Sequence, residues 1–200
     1  MTGAKGLVPG LLESKMMLNL DGENEVELCI GCAGALDTLA TFPAPEEPVP
    51  GGHAAFELAI GGLRGGHSGI DINLGRANAV MLTARLLWQA MNALPVRLAT
   101  LEAGSLRNAI PREGRAVLTV PADQAEALVR QIEADAATIG REFSHADPAI
   151  HISIQPCDLP ATVVEAGAAS RLVRALFACP NGVMYMSPEV PGLIETSSNL

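Results

Sequence analysis

Apolar residues in the middle of the chain recur with two different periods, one typical of strands and the other of helices. Over residues 54–63 they alternate with other residues, which predicts a strand. Over residues 75–91 they recur every three or four positions, which predicts an amphipathic helix. Both patterns then repeat, and they predict strands over 96–104 and 114–120, a helix over 122–143 and a strand over 149–155.

This β-α-β-β-α-β order is that of a ferredoxin-like domain, an α+β fold in which two helices cover one face of an antiparallel sheet. We assign it to residues 50–156. The preceding stretch, residues 43–52, contains four prolines and no apolar periodicity, so we interpret it as a linker. Residues 16–21 and 26–42 are predicted to be extended.

The pattern after residue 156 predicts a helix over 163–179 and strands over 182–187 and 192–200. The sequence ends in the middle of this pattern. We therefore expect residues 157–200 to begin a second unit, and the chain to be a fragment of a longer protein.

Composition excludes several classes of protein. Hydrophobic residues make up 48% of the chain and charged residues 18%, which is typical of a globular protein. The net charge of −9 argues against nucleic acid as a partner. No apolar run is long enough to predict a membrane span, and the N-terminus lacks the pattern of a signal peptide. We expect a cytoplasmic protein that contacts neither nucleic acid nor membrane.

The cysteines give no clear site. Cys29 and Cys32 form a Cys-x-x-Cys motif, but no second pair follows to complete a structural zinc site. The motif lies in a strand-like run and lacks the following helix of a thioredoxin-type redox site. We interpret all four cysteines, which include Cys157 and Cys179, as reduced thiols.

His67 lies in "GGHSG", between two glycines and a further glycine, directly before the first predicted helix. Its imidazole is suited to donate a hydrogen bond to a substrate oxygen or to bind a metal. The glycines allow close approach of a ligand. From the residues alone, a second interpretation is equally favoured: the glycines form a simple strand-to-helix turn, and the histidine is solvated.

Two further polar residues are weaker candidates. Asn108, in "RNAIPRE", is suited to recognise a carboxylate or a carbonyl, although a turn asparagine is the commoner case. Asp21 follows an apolar strand and precedes a glycine, a position used both by metal ligands and by turn residues. The arginines 64, 107 and 112 are candidates for binding an anion, but solvated arginines are commoner.

Taken together, these segments resemble a known family. "GGHSG" followed by "RNAIPRE", the upstream "LNLDGENEVELCIGCAGALD" and the downstream "PNGVMYMSPEVPGLIETSSNL" are similar to the aminoacyl-histidine dipeptidases, which are cytosolic members of the co-catalytic zinc exopeptidases. The resemblance covers essentially the whole chain, with its motifs in the same order.

The resemblance implies roles that the residues alone do not establish. Asp21 would be a zinc ligand, and His67 would be the lid histidine that polarises the scissile carbonyl or stabilises the oxyanion, often across a dimer. Asn108 would help to hold the substrate backbone or carboxylate. The complete enzyme would hold two zinc ions, hydrolyse Xaa-His and related dipeptides, and form a homodimer.

The chain departs from the family in lacking the other metal ligands and the general-base glutamate. We therefore expect residues 1–49 to be a remnant of the catalytic domain with its linker, 50–156 to be the lid domain, and 157–200 to begin a second lid half. We expect the chain to be inactive alone, and residues 16–42 to be poorly ordered. Two alternatives remain open: a non-catalytic module that dimerises through its sheet edge, and a regulatory domain that binds another metabolite.

Overall fold

The structure is a computed structural model that describes residues 6–11, 13–16 and 33–200. The chain divides into two units, Met1–Ala40 and Thr41–Leu200. In the first unit, residues 33–40 are exposed and carry no helix or strand. Residues 17–21 of the strand predicted over 16–21 and residues 26–32 of the extended segment predicted over 26–42 lie outside the described residues. The three-part division at residues 49 and 156 stays a prediction.

The second unit contains all the regular elements of the described chain. We number its strands β1–β10 and its helices α1–α3 in chain order. The strands are Glu46–Pro48, His53–Gly61, Gly66–His67, Arg97–Ala103, Ala109–Ile110, Gly114–Pro121, His151–Pro156, Thr162–Val164, Gly182–Met186 and Ile194–Ser198. The helices are Ala79–Ala93, Ala125–Glu142 and Ala166–Ala178, and a 3₁₀ turn at Ala122–Gln124 leads into α2.

The central sheet has four antiparallel strands in the order β4-β6-β2-β7. Strands β2 and β6 pair from His53 opposite Pro121 to Ile60 opposite Gly114. Helix α1 connects β2 to β4, and α2 connects β6 to β7. The predicted ferredoxin-like fold, with its two helices against one face of an antiparallel sheet, is confirmed.

The core lies between the sheet and these two helices. Its largest fully buried side chains are leucines and isoleucines of strands β2, β4 and β6 and of both helices: Leu58, Leu86, Leu87, Leu98, Leu118, Leu128, Ile132 and Ile139. Each such side chain contributes about 1.5–3 kcal/mol when it leaves water. Helix α3 packs mainly against α1, where the rings of Trp88 and Phe177 stack with centroids 5.2 Å apart.

Three local predictions are wrong. Helix α1 begins at Ala79 and not at residue 75, because Asn78 caps it: the side-chain oxygen accepts hydrogen bonds from the N–H groups of Val80 and Met81. Residues 162–164 form strand β8 and do not belong to the helix that follows. The proline-rich linker contains β1, which pairs with β8.

Candidate functional site

The structure brings His67 and Asn108 together through their main chains. Strands β3 and β5 pair with His67 opposite Ala109, and Gly66 opposite Ile110. The N–H of Ser68 then donates to the carbonyl oxygen of Asn108 at 2.9 Å. Both candidate side chains are exposed at this edge of the domain. The two residues that sequence placed on separate loops therefore lie at one short β-ladder, with His67 in β3 and Asn108 directly before β5.

The imidazole of His67 is held by its own loop. Its Nδ1 accepts hydrogen bonds from the N–H groups of Gly69 at 3.0 Å and Ile70 at 3.2 Å. The N–H of His67 donates to the carboxylate of Asp71 at 2.8 Å. A ring that accepts at Nδ1 carries its proton on Nε2 when neutral. Among the described residues Nε2 has no hydrogen-bond partner, so an exposed N–H donor is fixed in direction.

The glycines before His67 are required by the protein's own packing. At Gly65, whose φ is +61°, an added Cβ would lie 2.3 Å from Cγ of Arg112 and 2.9 Å from the carbonyl oxygen of Ile110. At Gly66 it would lie 2.4 Å from Nη1 of Arg76 and 2.5 Å from the carboxylate of Asp71. The space that the sequence suggested for a ligand at these two positions is filled by side chains of the chain itself.

Asp147, a residue that sequence reasoning missed, lies beneath this loop. It is fully buried, and its two carboxylate oxygens accept hydrogen bonds from the N–H groups of Arg64 and Ala77, each at 2.7 Å. These two donors stand at either end of the segment that carries His67. An isolated Asp-Pro after a helix carries no periodic signal, so nothing in the sequence indicated this contact.

A group of amides connects the loop region to the hairpin of β9 and β10. The side-chain nitrogen of Asn78 donates to Oδ1 of Asn181 and to the carbonyl oxygen of Leu200, each at 3.0 Å. Asn199 donates to the carbonyl oxygen of Ala109 at 3.0 Å, directly beside Asn108. The β5 side of the ladder is thus supported by the C-terminal hairpin, a contact that the sequence did not predict.

A cleft of about 510 Å³ lies next to the ladder. It is lined by residues 102–106 and 109–115 together with Ala59, Ile60 and His151. Arg112 and Arg115 face it alongside Glu102 and Glu113, so its charge is mixed. Neither His67 nor Asn108 lines it. The two candidate residues therefore stand on an open rim of the domain and not inside an enclosed pocket.

The described residues offer no metal centre. Asp21, the predicted zinc ligand, lies outside them, as do Cys29 and Cys32. Among residues 6–11, 13–16 and 33–200 no group of three histidine, cysteine or acidic side chains could hold a metal ion. The side chains that the structure describes do not fit the zinc site implied by the resemblance, so no chemical step is assigned to a metal here.

The two described cysteines are free thiols. Burial raises the pKa of the Cys157 thiol, and the nearby negative charges of Glu57 and Asp158 raise it further. A thiol with a raised pKa is a poor nucleophile at neutral pH. Cys157 therefore has the properties of a structural residue.

In the described part of the chain, no helix combines the length and apolar character needed to cross a membrane.

Comparison with known proteins agrees with the fold. Residues 58–144 match the family described as Peptidase dimerisation domain. The whole chain is 34% identical to the cytosol non-specific dipeptidase of Escherichia coli, of which it spans 41%. A solved aminoacylhistidine dipeptidase from Vibrio alginolyticus matches 79% of the chain at 37% identity with a TM-score of 0.77, and the match covers 32% of that protein.

The chain thus spans less than half the length of the relatives it matches. The resemblance inferred from sequence is confirmed: residues 58–144 match a peptidase dimerisation domain, and the whole chain is similar to the dipeptidase of E. coli.

Proposed function

We propose that this chain provides the lid of a dipeptidase, and that the imidazole of His67 is the lid's donor to the reacting carbonyl. The observation that carries the proposal is the fixed direction of the ring. Two main-chain N–H groups occupy Nδ1, and the exposed Nε2 remains for a substrate oxygen. A donor positioned in advance stabilises the negative charge that develops on the carbonyl oxygen when the peptide bond is attacked.

Asn108 would assist by binding the substrate's main chain or carboxylate. Its main-chain carbonyl oxygen accepts a hydrogen bond from the N–H of Ser68, which fixes the backbone. The exposed side-chain amide remains available to a ligand. An amide presents both a donor and an acceptor, as recognition of a peptide main chain requires. His67 and Asn108 would then contact the same substrate from neighbouring segments at one edge of the domain.

The rest of the active site would come from parts of the complete protein outside the described residues. We propose that these parts hold two zinc ions, with Asp21 among their ligands, and that they supply the attacking water and its general base. The exposed position of His67 on an open rim supports an active site that is formed jointly by this lid and by those other parts. On the same grounds we propose that the chain has no activity alone. Zinc-dependent dipeptide hydrolysis by the purified 200-residue chain would refute this proposal.

We also propose a homodimer, a preference for Xaa-His dipeptides and a cytoplasmic location for the complete protein. The match to a dimerisation domain supports the homodimer. The name of the Vibrio alginolyticus aminoacylhistidine dipeptidase supports the preference for Xaa-His, whereas the E. coli relative is named a non-specific dipeptidase. That relative is also named a cytosol enzyme, which supports the cytoplasmic location. Sedimentation would test the dimer. A comparison of kcat/KM for Xaa-His and other dipeptides would test the specificity.

The test of His67 uses a full-length relative that has histidines at the positions aligned with His67 and His145, altered at the first of these positions. Replacement of the histidine by alanine should lower kcat about 10²- to 10³-fold, which is typical when a single oxyanion donor is removed. The matched control is alanine at the position aligned with His145, an exposed histidine after α2. That change should leave kcat within about twofold, since surface substitutions away from a site have small effects.

In the present chain His67→Ala should leave the melting temperature almost unchanged, because the side chain is exposed. A large fall in melting temperature would mean that the histidine is a packing residue. Full activity of the altered dipeptidase would refute the catalytic role. The alternative, a non-catalytic interaction module, predicts that neither histidine affects hydrolysis.

A further inference from the structure

We propose that Asp147 is the positioning residue of the His67 loop, and this inference rests on the function proposed above for His67. Its carboxylate accepts one hydrogen bond from Arg64 N–H and one from Ala77 N–H, each at 2.7 Å. The loop between these residues contains every contact that orients the His67 ring. One buried side chain thus closes the loop at both ends.

Asp147 is itself firmly anchored. Its N–H donates to the carbonyl oxygen of Phe143 at 2.8 Å, at the end of α2, and its carbonyl oxygen accepts from Ile150 N–H at 3.0 Å, just before β7. Both neighbouring elements pack in the core of the domain. The Asp147 carboxylate therefore ties both ends of the loop to the helix-and-sheet layer, while the β3–β5 ladder and the Ser68–Asn108 hydrogen bond hold its middle.

The contact between the His67 main chain and Asp71 is more exposed than those of Asp147. The Asp71 carboxylate that accepts from His67 N–H pairs with Arg76 at 3.5 Å, and both side chains keep more than a fifth of their surface in water. Exposed pairs of this kind contribute little, because water and salt compete for the charges. The hydrogen bonds of Asp147 are shielded from water, since the residue is fully buried.

The chemistry of the contact explains why a carboxylate is needed. Two N–H donors point at one side chain, and only a group with two acceptor oxygens satisfies both. In Asp147→Asn, the side-chain oxygen still accepts a hydrogen bond from one main-chain N–H. The side-chain NH₂ group faces the other N–H, and no hydrogen bond forms because both groups are donors. The substitution keeps the size of the side chain and should release one end of the loop.

The experiment compares wild type, Asp147→Asn and a control, Thr119→Val, in the 200-residue chain. Thr119 is fully buried on β6, and its hydroxyl lies 3.0 Å from Nδ1 of His53. It lies towards the end of β6 that pairs with the start of β2, whereas the His67 loop follows the end of β2. Both variants lose a buried hydrogen bond, and urea unfolding would measure how far each is destabilised.

Two NMR measurements report on the loop and not on overall stability. In Asp147→Asn the amides of Ser68, Gly69 and Ile70 should exchange with solvent about tenfold faster or more, since each of them donates a hydrogen bond within the loop region. In the neutral ring, the ¹⁵N shifts of His67 should move from those of the pure Nε2–H tautomer towards those of a mixture of both tautomers. Thr119→Val should change neither quantity.

A second variant removes a donor and leaves Asp147 in place, in case Asp147→Asn does not fold. Lactic acid in place of Ala77 replaces the N–H by an ester oxygen and should give the same two changes. Loop amides and His67 shifts that match those of Thr119→Val in both variants would overturn the inference. If the loop is released as expected but the full-length relative keeps full activity after its aligned histidine is replaced by alanine, the positioning role stands and the proposed function fails.

Discussion

The helix-covered face of the sheet and the edge that carries His67 are held together in different ways. On the covered face, Leu58, Leu118 and Leu128 have lost all contact with water, and their neighbours are other apolar side chains. At the edge, the loop is held by individual hydrogen bonds from main-chain N–H groups to a carboxylate and an imidazole. The covered face is stabilised by the burial of apolar surface area, and the edge is stabilised by hydrogen bonds, whose strength depends on direction.

This difference separates stability from function within one small domain. Burial of apolar area is non-directional, so many combinations of side chains would maintain the core. The direction of a donor such as Nε2 of His67 depends on a few atoms, and a displacement of about 1 Å can cost a hundredfold in rate. Substitutions in the core should therefore alter unfolding, whereas substitutions at the edge should alter local geometry.

The largest effect on stability should come from Leu118→Ala. Leu118 is fully buried in the central strand β6, where it pairs with Phe56 on β2 and Leu98 on β4. Loss of its side chain leaves a cavity, and we expect the free energy of unfolding in urea to fall by about 2–5 kcal/mol. Leu106→Ala is the matched control because this leucine is 65% exposed in the loop after β4.

Leu106→Ala should change the free energy of unfolding by less than about 0.5 kcal/mol. Similar losses in the two variants would contradict the division between core and edge. Neither change should move the NMR signals of the His67 ring while the protein remains folded.

The helices and strands of the core were predictable from sequence because apolar residues recur in each with a clear period. The alternation around Phe56, Leu58 and Ile60 and the helical spacing of both long helices reflect burial on one face. The pairing of β1 with β8 was not predictable, since each strand has only three residues and β1 lies in a proline-rich stretch. Such strands are fixed by their partner and have little pattern of their own.

The site was predictable only in part. The glycine motif marked His67, the chemistry of an asparagine between two strands made Asn108 a weaker candidate, and the resemblance to dipeptidases gave the role of each residue. The residues that orient them are acids and amides, which follow no periodic pattern along the sequence. Asp147 accepts a hydrogen bond from the N–H of Arg64, which is 83 positions away in the chain. A single sequence contains no sign of such a pairing. The role of Asp21 stays a prediction, as it lies outside the described residues.

A pair of glycines tests how closely the edge of the domain is packed. Gly62, at the end of β2, and Gly75, before α1, have similar φ angles of +74° and +67°. An added Cβ at Gly62 would lie 2.0 Å from the carbonyl oxygen of Ala149, whereas at Gly75 no atom lies within 4 Å. We expect Gly75→Ala to cost about 1–2 kcal/mol for the backbone conformation alone. Gly62→Ala should cost about 3 kcal/mol or more.

Urea unfolding of both variants would measure this difference, since the two substitutions share the conformational cost and differ in the space around the new methyl group. Equal costs would mean that the segment around Ala149 moves aside freely, and the edge would then be looser than the core. A larger cost at Gly62 would show that close packing extends to the start of the His67 loop.

The smallest effect concerns pH and compares the starts of two helices. Helix α1 is capped by the neutral amide of Asn78, and α3 by the carboxylate of Glu165, which accepts from Gly167 N–H at 2.9 Å and Ala168 N–H at 2.8 Å. These two hydrogen bonds, aided by the charges of Arg171 and Arg97, lower the pKa of Glu165 below its ordinary value of 4.5.

Because the pKa of Glu165 is lower in the folded state, its contribution to stability is complete above the ordinary value and is lost as pH falls through the folded pKa. The difference in unfolding free energy between wild type and Glu165→Gln should therefore be constant near neutral pH and shrink on acidification to about pH 3. The corresponding difference for Asn78→Ala should not depend on this titration, because an amide does not ionise. If the Glu165→Gln difference stayed constant down to the lowest pH, the charge of the carboxylate would have no part in the cap, and α3 would be held, like the core, by packing alone.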